Sequence, residues 1–521
     1  MEWAWWQRGI VYQVYPRSFQ DSDGDGTGDL KGITARLEHL AWLGIDAVWL
    51  SPIFPSPMTD FGYDVADYTG IDPLFGSMAD FDALRDRAHA LGLKLILDFV
   101  PNHSSDQHPW FQASRRRQDG KADWYLWHDP AAIGGPPTNW LANFGGPAWT
   151  YDPVRAQFYY HSFLPSQPDL NWRNPDVRRA MYDVLRFWLA RGVDGFRVDV
   201  LWMMIKDDQL RDNPPNPAWR PGQRPFESLL PLYTTDRPEI HEIVAEMRAV
   251  LDEFDQRVLI GEIYLPIDRL VTYYGRNGDG AQLPFNFHLL QLQDWSAQAL
   301  ADLIVSYDAA LPEGAWPNWV LGNHDRPRVA TRLGAAQARI AAMLLLTLRG
   351  TPTIYMGDEL GMVDTPIPPA DIRDPAERRQ PGLGQGRDPV RTPFPWDASP
   401  ERGFTSGTPW LPVGADTPLS AQRDDPASML SLHRRLITLR REHEALAIGP
   451  ITDIAANGPV LTYRRSHFQI VLNTSATPAQ IETTGGQVLA DTLTPEPYDL
   501  QPGSHQLRPH QGLIIQTPSA G

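Results

Sequence analysis

The 521-residue chain has no cysteine. Disulfide frameworks, zinc–thiolate sites and thiol nucleophiles are therefore excluded. Positive charge is scarce: 46 Lys and Arg face 63 Asp and Glu, a formal net charge of −17. Such a surface repels nucleic acid and anionic membrane, so neither is expected as a partner. Most of this acidity reads as solubility, and it is compatible with a neutral substrate. Long apolar runs are also lacking. The longest, near 340–348, is too short to span a bilayer. The opening Met1-Glu2-Trp3-Ala4-Trp5-Trp6 has no basic region followed by an apolar run, so no signal peptide is read and a cytoplasmic location is expected. No internal repeat or low-complexity tail is found, and monomer or dimer is left open.

What is present is ordinary for a globular protein: 42% hydrophobic and 21% charged residues. The length suits a large central domain with accessory domains. Short apolar runs at 10–15, 47–50, 93–100, 195–200, 258–263, 319–321 and 353–355 read as buried strands. Amphipathic stretches at 78–91, 177–191 and 239–254 lie between them and read as helices. Strand–helix alternation predicts a parallel α/β architecture, either a barrel or a doubly wound sheet. After His103 the alternation stops. Residues 104–175 are rich in Trp, Pro, Gly and Asn and read as a small inserted domain, because a structureless loop of that size is improbable. Asp425-Pro426 looks like an N-cap and first helical position opening a last helix. Beyond Gly449, strands near 460–463 and 469–473 with an Asn457-Gly458 turn read as a β-sandwich.

Four candidate strands end on polar residues: Asp98 to His103, Arg197 and Asp199, Glu262, and Asn323-His324-Asp325. Side chains alternate along a strand, so Arg197 and Asp199 share a face, and burying both is costly unless both are used. One polar strand end would be capping. Four at the C-terminal side of barrel strands is where that fold builds active sites. Three carboxylates and an arginine, with neither cysteine nor a serine-hydrolase elbow, suit glycosidic cleavage. One carboxylate attacks while a second, its pKa raised by its surroundings, donates a proton, and a neighbouring arginine keeps the attacker ionised. A His/Asp metal hydrolase is the rival, weakened by the lack of a helical H-E-x-x-H pair. Separately, Asp21-Ser22-Asp23-Gly24-Asp25-Gly26-Thr27-Gly28-Asp29 spaces carboxylates and glycines as a Ca²⁺ loop does, although a plain acidic turn has the same look.

These motifs, with Val14 to Phe19, Gly62 to Val65, Gln167 to Trp172 and Arg387 to Trp396, resemble the α-amylase family of glycoside hydrolases, in its oligo-1,6-glucosidase and α-glucosidase branch, nearly end to end. The resemblance implies a (β/α)8 TIM barrel (1–103 and 176–446), an inserted domain after the third strand (104–175) and a C-terminal β-sandwich (447–521). It implies Asp199 as nucleophile, Glu262 as acid/base and Asp325 as the third carboxylate, gripping sugar hydroxyls. Arg197 would orient Asp199, while His103 and His324 would bond the glucose. Asp60 and Arg387 would close the pocket, Tyr63 would stack on the ring and Phe163 would line it. A structural cation, Ca²⁺ with Mg²⁺ as the alternative, would sit on Asp21, Asp23, Asp25, the Thr27 carbonyl and Asp29; no organic cofactor is implied. The implied activity is retaining release of terminal glucose from short α-glucosides. Transglucosylation or sucrose isomerisation on the same intermediate is the alternative, and a non-catalytic partner protein of the same fold a remote one. Val200 resembles members that cleave α-1,6 bonds or use sucrose. The charged Arg-Leu-Asp-Arg-Asp segment of isomaltulose synthases is not found, and 364–386 departs from the family pattern.

Overall fold

The computed structural model describes residues 3–517; Met1 and Glu2 of the opening segment and residues 518–521 of the expected C-terminal domain lie outside the described residues. Eight parallel strands form the centre: β1 (Val11–Val14), β2 (Ala47–Leu50), β3 (Lys94–Phe99), β4 (Gly195–Val198), β5 (Val258–Gly261), β6 (Leu283–Pro284), β7 (Asn318–Val320) and β8 (Thr351–Tyr355). Their spatial order is β7-β8-β1-β2-β3-β4-β5-β6. The seam between β6 and β7 lacks ladder pairing and is bridged by one side chain. Asn318 donates from Nδ2 to the Pro284 carbonyl at 2.6 Å and accepts from the Asn286 amide at 2.8 Å. The sheet is thereby a TIM barrel. Its strands are buried on both faces, as parallel strands sheathed in helices must be.

Local chemistry explains the helices. Ser77 and Asp80 form a capping box on Met78–Ala90. Asn174 caps Pro175–Ala190, with proline at its first position. The last barrel helix begins later than the sequence suggests. Asp425 makes only a local turn, accepting from the Ala427 amide, and Ser428 caps Met429–Glu442 by accepting from the Ser431 amide. A serine three residues on offers the better cap because its hydroxyl faces a free helical amide.

Between β3 and β4 lies a three-stranded antiparallel sheet, with Gln157–Tyr160 between Trp127–His128 and Trp149–Asp152. Beyond the barrel, a six-stranded antiparallel sheet and the hairpin-like pair Ala479–Thr483 with Gly503–Leu507 enclose a core of Val460, Val471, Ile481, Leu507 and Ile515. Its other face, through Leu461, Tyr463 and Ile470, joins the barrel's core. Among the described residues no helix is long and apolar enough to cross a membrane.

Candidate active site

Strand register brings the charges together. Asp98 of β3 pairs with Arg197 of β4, and Val198 pairs with Gly261, which precedes Glu262. Gly195 is required at the start of β4, because a Cβ there would fall 2.4 Å from a Val258 methyl. Arg197 is fully buried. Its Nη1 donates to Asp98 at 2.8 Å and to Asp199 at 2.7 Å, and its Nη2 meets Glu262 at 2.9 Å. The arginine is therefore the hub of three carboxylates. Its ring-facing side lies 5.1 Å from the Trp49 ring.

One guanidinium cannot offset three buried negative charges. Burial, then the charge of Glu262, pushes Asp199 well above the usual carboxylate range, against the pull of Arg197. Burial also raises Glu262, with Asp325 adding to the rise and Arg197 opposing it. Asp98, buried beside the same groups, is raised to about 7. Burial thus works against full ionisation of the cluster, and Arg197 opposes it at each carboxylate. Val200 contributes through its backbone. It adopts φ 38°, ψ 44°, a left-handed conformation costly for a β-branched residue, and its amide donates to Glu262 Oε2 at 2.8 Å.

Asp325 is held differently. Arg391 donates to it at 2.8 Å and Arg387 at 3.5 Å. Burial would raise its pKa, but positive surroundings hold it well below the usual range. Those surroundings are His324, then Arg391, Arg387 and Arg197, and burial lowers His324 well below its own ordinary value. His324 does not reach the pocket wall. It is fully buried, with Nδ1 2.8 Å from the Gln13 amide nitrogen and Nε2 2.5 Å from the Tyr63 hydroxyl. Tyr63 donates in turn to Asp98 at 3.2 Å, and its ring stacks on His324. His103 is on the wall and is lowered to about 4 by burial. Phe163 lies beside it, ring centroids 5.2 Å apart.

Elsewhere on the wall, Arg387 Nη2 donates to Asp60 at 2.7 Å. Asp374 grips the same guanidinium at 2.9 and 2.8 Å and its backbone amide at 2.6 Å, while capping the short helix Pro375–Arg379. Asp60, Asp199, Glu262, Asp325 and Arg387 all line one cavity of about 320 Å³. That volume fits a small-molecule ligand.

Three supporting residues were missed in sequence reading. Asp98 and Arg391 stood in quoted motifs, on the same strand face and four residues along, respectively. Asp374 lies in the segment with no family pattern and carried no signal. Behind His103, the buried Lys206 pairs with Asp169 and donates to Asn102 at 2.7 Å.

The model of the alpha amylase catalytic domain matches residues 13–449. The chain belongs to the α-amylase family. Its family relatives include a "Probable alpha-glucosidase" of Rhizobium meliloti (strain 1021), 44% identical across 89% of this chain and 87% of that protein. Among solved α-amylase-family structures, the alpha-glucosyl transfer enzyme XgtA is 41% identical, with TM-score 0.92, over 99% of this chain and 100% of the other. The trehalulose synthase MutB from Pseudomonas mesoacidophila MX-45 is 34% identical, with TM-score 0.90, over 99% of this chain and 100% of the other.

The acidic loop follows β1, but none of its residues lines the cavity. Asp21, Asp23 and Asp29 bring carboxylate oxygens within 4.8 Å of one another. Asp25 is not in that group and accepts from the Thr27 amide at 2.7 Å. Burial would raise Asp21, but the Thr405 hydroxyl and the Gly24, Gly26 and Asp23 amides hold it below the usual range.

Proposed function

We propose that the chain is a retaining α-glucosidase that releases terminal glucose from short α-glucosides. The observation that carries this reading is the pair of carboxylates on neighbouring nitrogens of one guanidinium, at 2.7 and 2.9 Å. Two carboxylates gathered on one guanidinium suit the retaining arrangement, in which the pair sits closer than in the inverting one. Asp199 attacks the anomeric carbon and forms a glucosyl–enzyme ester, while Glu262 protonates the leaving oxygen. Glu262 then takes a proton from the incoming water, which attacks the same carbon and frees Asp199. Glu262 Oε2 is occupied by Arg197 and the Val200 amide, leaving Oε1 to carry the proton. Asp325, kept ionised by Arg391 and Arg387, binds sugar hydroxyls. Asp60 and Arg387 end the pocket and so favour terminal units.

The likeness to XgtA and MutB supports transfer as a second reading, in which a sugar replaces water on the same intermediate. Incubation with isomaltose, maltose, sucrose and trehalose, followed by chromatography, tests both. Glucose without new saccharides supports hydrolysis, new disaccharides support transfer, and inactivity on all four overturns the reading.

For the acidic loop we propose a structural cation, Ca²⁺ before Mg²⁺. The support is three hard oxygen donors converging on a tight turn. The ion would tie this loop to Thr405 through Asp21 and would take no part in the reaction. The cytoplasm is the proposed location.

A further inference from the structure

The cations around the pocket fall into two groups. Arg197, Arg387 and Arg391 are spent on carboxylates. Arg224 and Arg326 line the same cavity, each half-buried, and neither is held by a buried carboxylate. Among the described residues Arg326 forms no ion pair and donates to no carbonyl; its guanidinium lies 5.3 Å from the Tyr264 ring centroid. Arg224 donates to the Asn143 carbonyl at 3.2 Å, while its buried Nε has no acceptor. Its nearest carboxylate is the exposed Glu227, at 3.7 Å. Burial pushes the Arg224 guanidinium down, with Glu227 opposing and the charges of Arg326 and Arg387 adding to the fall. Two like charges therefore face one cavity in a chain whose net charge is −17.

Arg326 stands beside the acid/base, and Arg224 lines the same cavity. Glu262 reaches the leaving oxygen, and Tyr264, which Arg326 covers, stands two residues beyond Glu262. Asp60, Tyr63, Phe163 and Arg387 take the opposite, glucose-holding role. Phe226, Tyr264 and Trp202 add apolar wall to the cavity.

We propose that the leaving-group side accepts an aglycone bearing a small anionic group, a carboxylate or phosphate, bound by Arg224 and Arg326. This rests on the glucosidase reading above. An anion between two guanidiniums relieves their repulsion and meets their paired donors, which match carboxylate and phosphate oxygens. A neutral hydroxyl supplies acceptors but no charge. Opposing this, Asp325 and Glu262 lie near Arg326 and repel an incoming anion.

The test compares kcat/KM of the full chain on the α-glucosides of glycerol, glycerate and glycerol phosphate. These differ only in the charged group. At low ionic strength at least one anionic glucoside is expected to exceed the glycerol one by about tenfold. The ratio should shrink in about 1 M KCl, where the screening length is about 3 Å. It should fall toward unity in Arg224→Gln and in Arg326→Gln, and whichever anion leads identifies the group recognised. If the glycerol glucoside is cleaved as well as both anions or better, the guanidiniums merely offset Asp325 and Glu262. The inference is then wrong while the glucosidase reading stands. If no α-glucoside is cleaved, the glucosidase reading has failed and takes this inference with it.

Discussion

Arginines at two places in this molecule are used in opposite ways. At the catalytic end, Arg197, Arg387 and Arg391 each bind carboxylates. Where the barrel meets the C-terminal sheet, Arg440 and Arg465 bind only carbonyl oxygens. Arg440 reaches Leu348, Gly350 and Leu446 at 3.1, 2.5 and 3.0 Å, and Arg465 reaches Thr347, Gly449 and Pro450 at 2.5, 2.9 and 3.2 Å. Carboxylates hold Arg197 well above its usual pKa against burial, whereas burial pulls Arg440 and Arg465 down, with the charge of Arg440 adding to the fall at Arg465. The first group fixes charges that can react. The second satisfies loop carbonyls that no helix or sheet can reach, and so staples the end of the barrel to the sheet behind it.

The comparison breaks most visibly at Asp199. Asp199→Asn should lower kcat/KM by about 10⁴-fold or more, since a covalent nucleophile is removed. Its melting temperature should stay near that of the parent, because Arg197 keeps Asp98 and Glu262. Steady-state kinetics with a thermal melt check both halves, and an active variant would end the proposed mechanism.

Arg465→Met should show the reverse. Orphaned carbonyls cost about 1–3 kcal/mol each, partly offset by no longer burying a cation, so a net loss of about 2–4 kcal/mol is expected. Denaturant unfolding measures it, while kcat and KM of the folded enzyme should hold. A large kinetic defect would mean the two ends of the barrel are coupled.

Asp374→Asn sharpens the contrast, because it strips Arg387 of its bidentate partner but leaves Asp60. We expect kcat/KM to fall about 10–100-fold, mainly through KM, as the pocket's end loosens. Full activity would show that Asp60 alone orients Arg387.

The smallest effect concerns acid. Burial lowers His103, His108 and His161 to about 4 from an ordinary 6.5. Between those values the unfolded chain binds more protons, so these histidines contribute stability above pH 6.5 that is lost as pH falls toward 4. Asp98 and Asp358, raised to about 7, act in the opposite direction across the same window. The difference between parent and variant isolates one histidine. Melting temperature should fall less between pH 6.5 and 4.5 in His161→Gln than in the parent, and equal slopes would contradict the lowered pKa.

Legibility followed burial and length. Most barrel strands could be read because both faces are buried and the apolar run is continuous. β6 could not: it is two residues long and ends in proline, and its neighbour is secured by Asn318 rather than a ladder. The cap at Ser428 was misplaced because Asp425-Pro426 has the right residues and the wrong geometry. Within the site, residues in motifs were legible, but the orientation of their side chains was not. His324 turns to Gln13 and Tyr63 instead of the pocket wall.

The sequence by itself determined the strand-and-helix alternation, the family and the set of chemically active residues, because these rest on residue type, period and spacing. Only the tertiary structure decided that one guanidinium serves Asp98, Asp199 and Glu262, and that Asp374 holds Arg387. It also decided that Arg326 is left without a carboxylate partner and Arg224 with only the exposed Glu227. Those facts depend on which buried charges lie within about 4 Å, and in a low-dielectric interior such distances fix which charge is balanced and which is free.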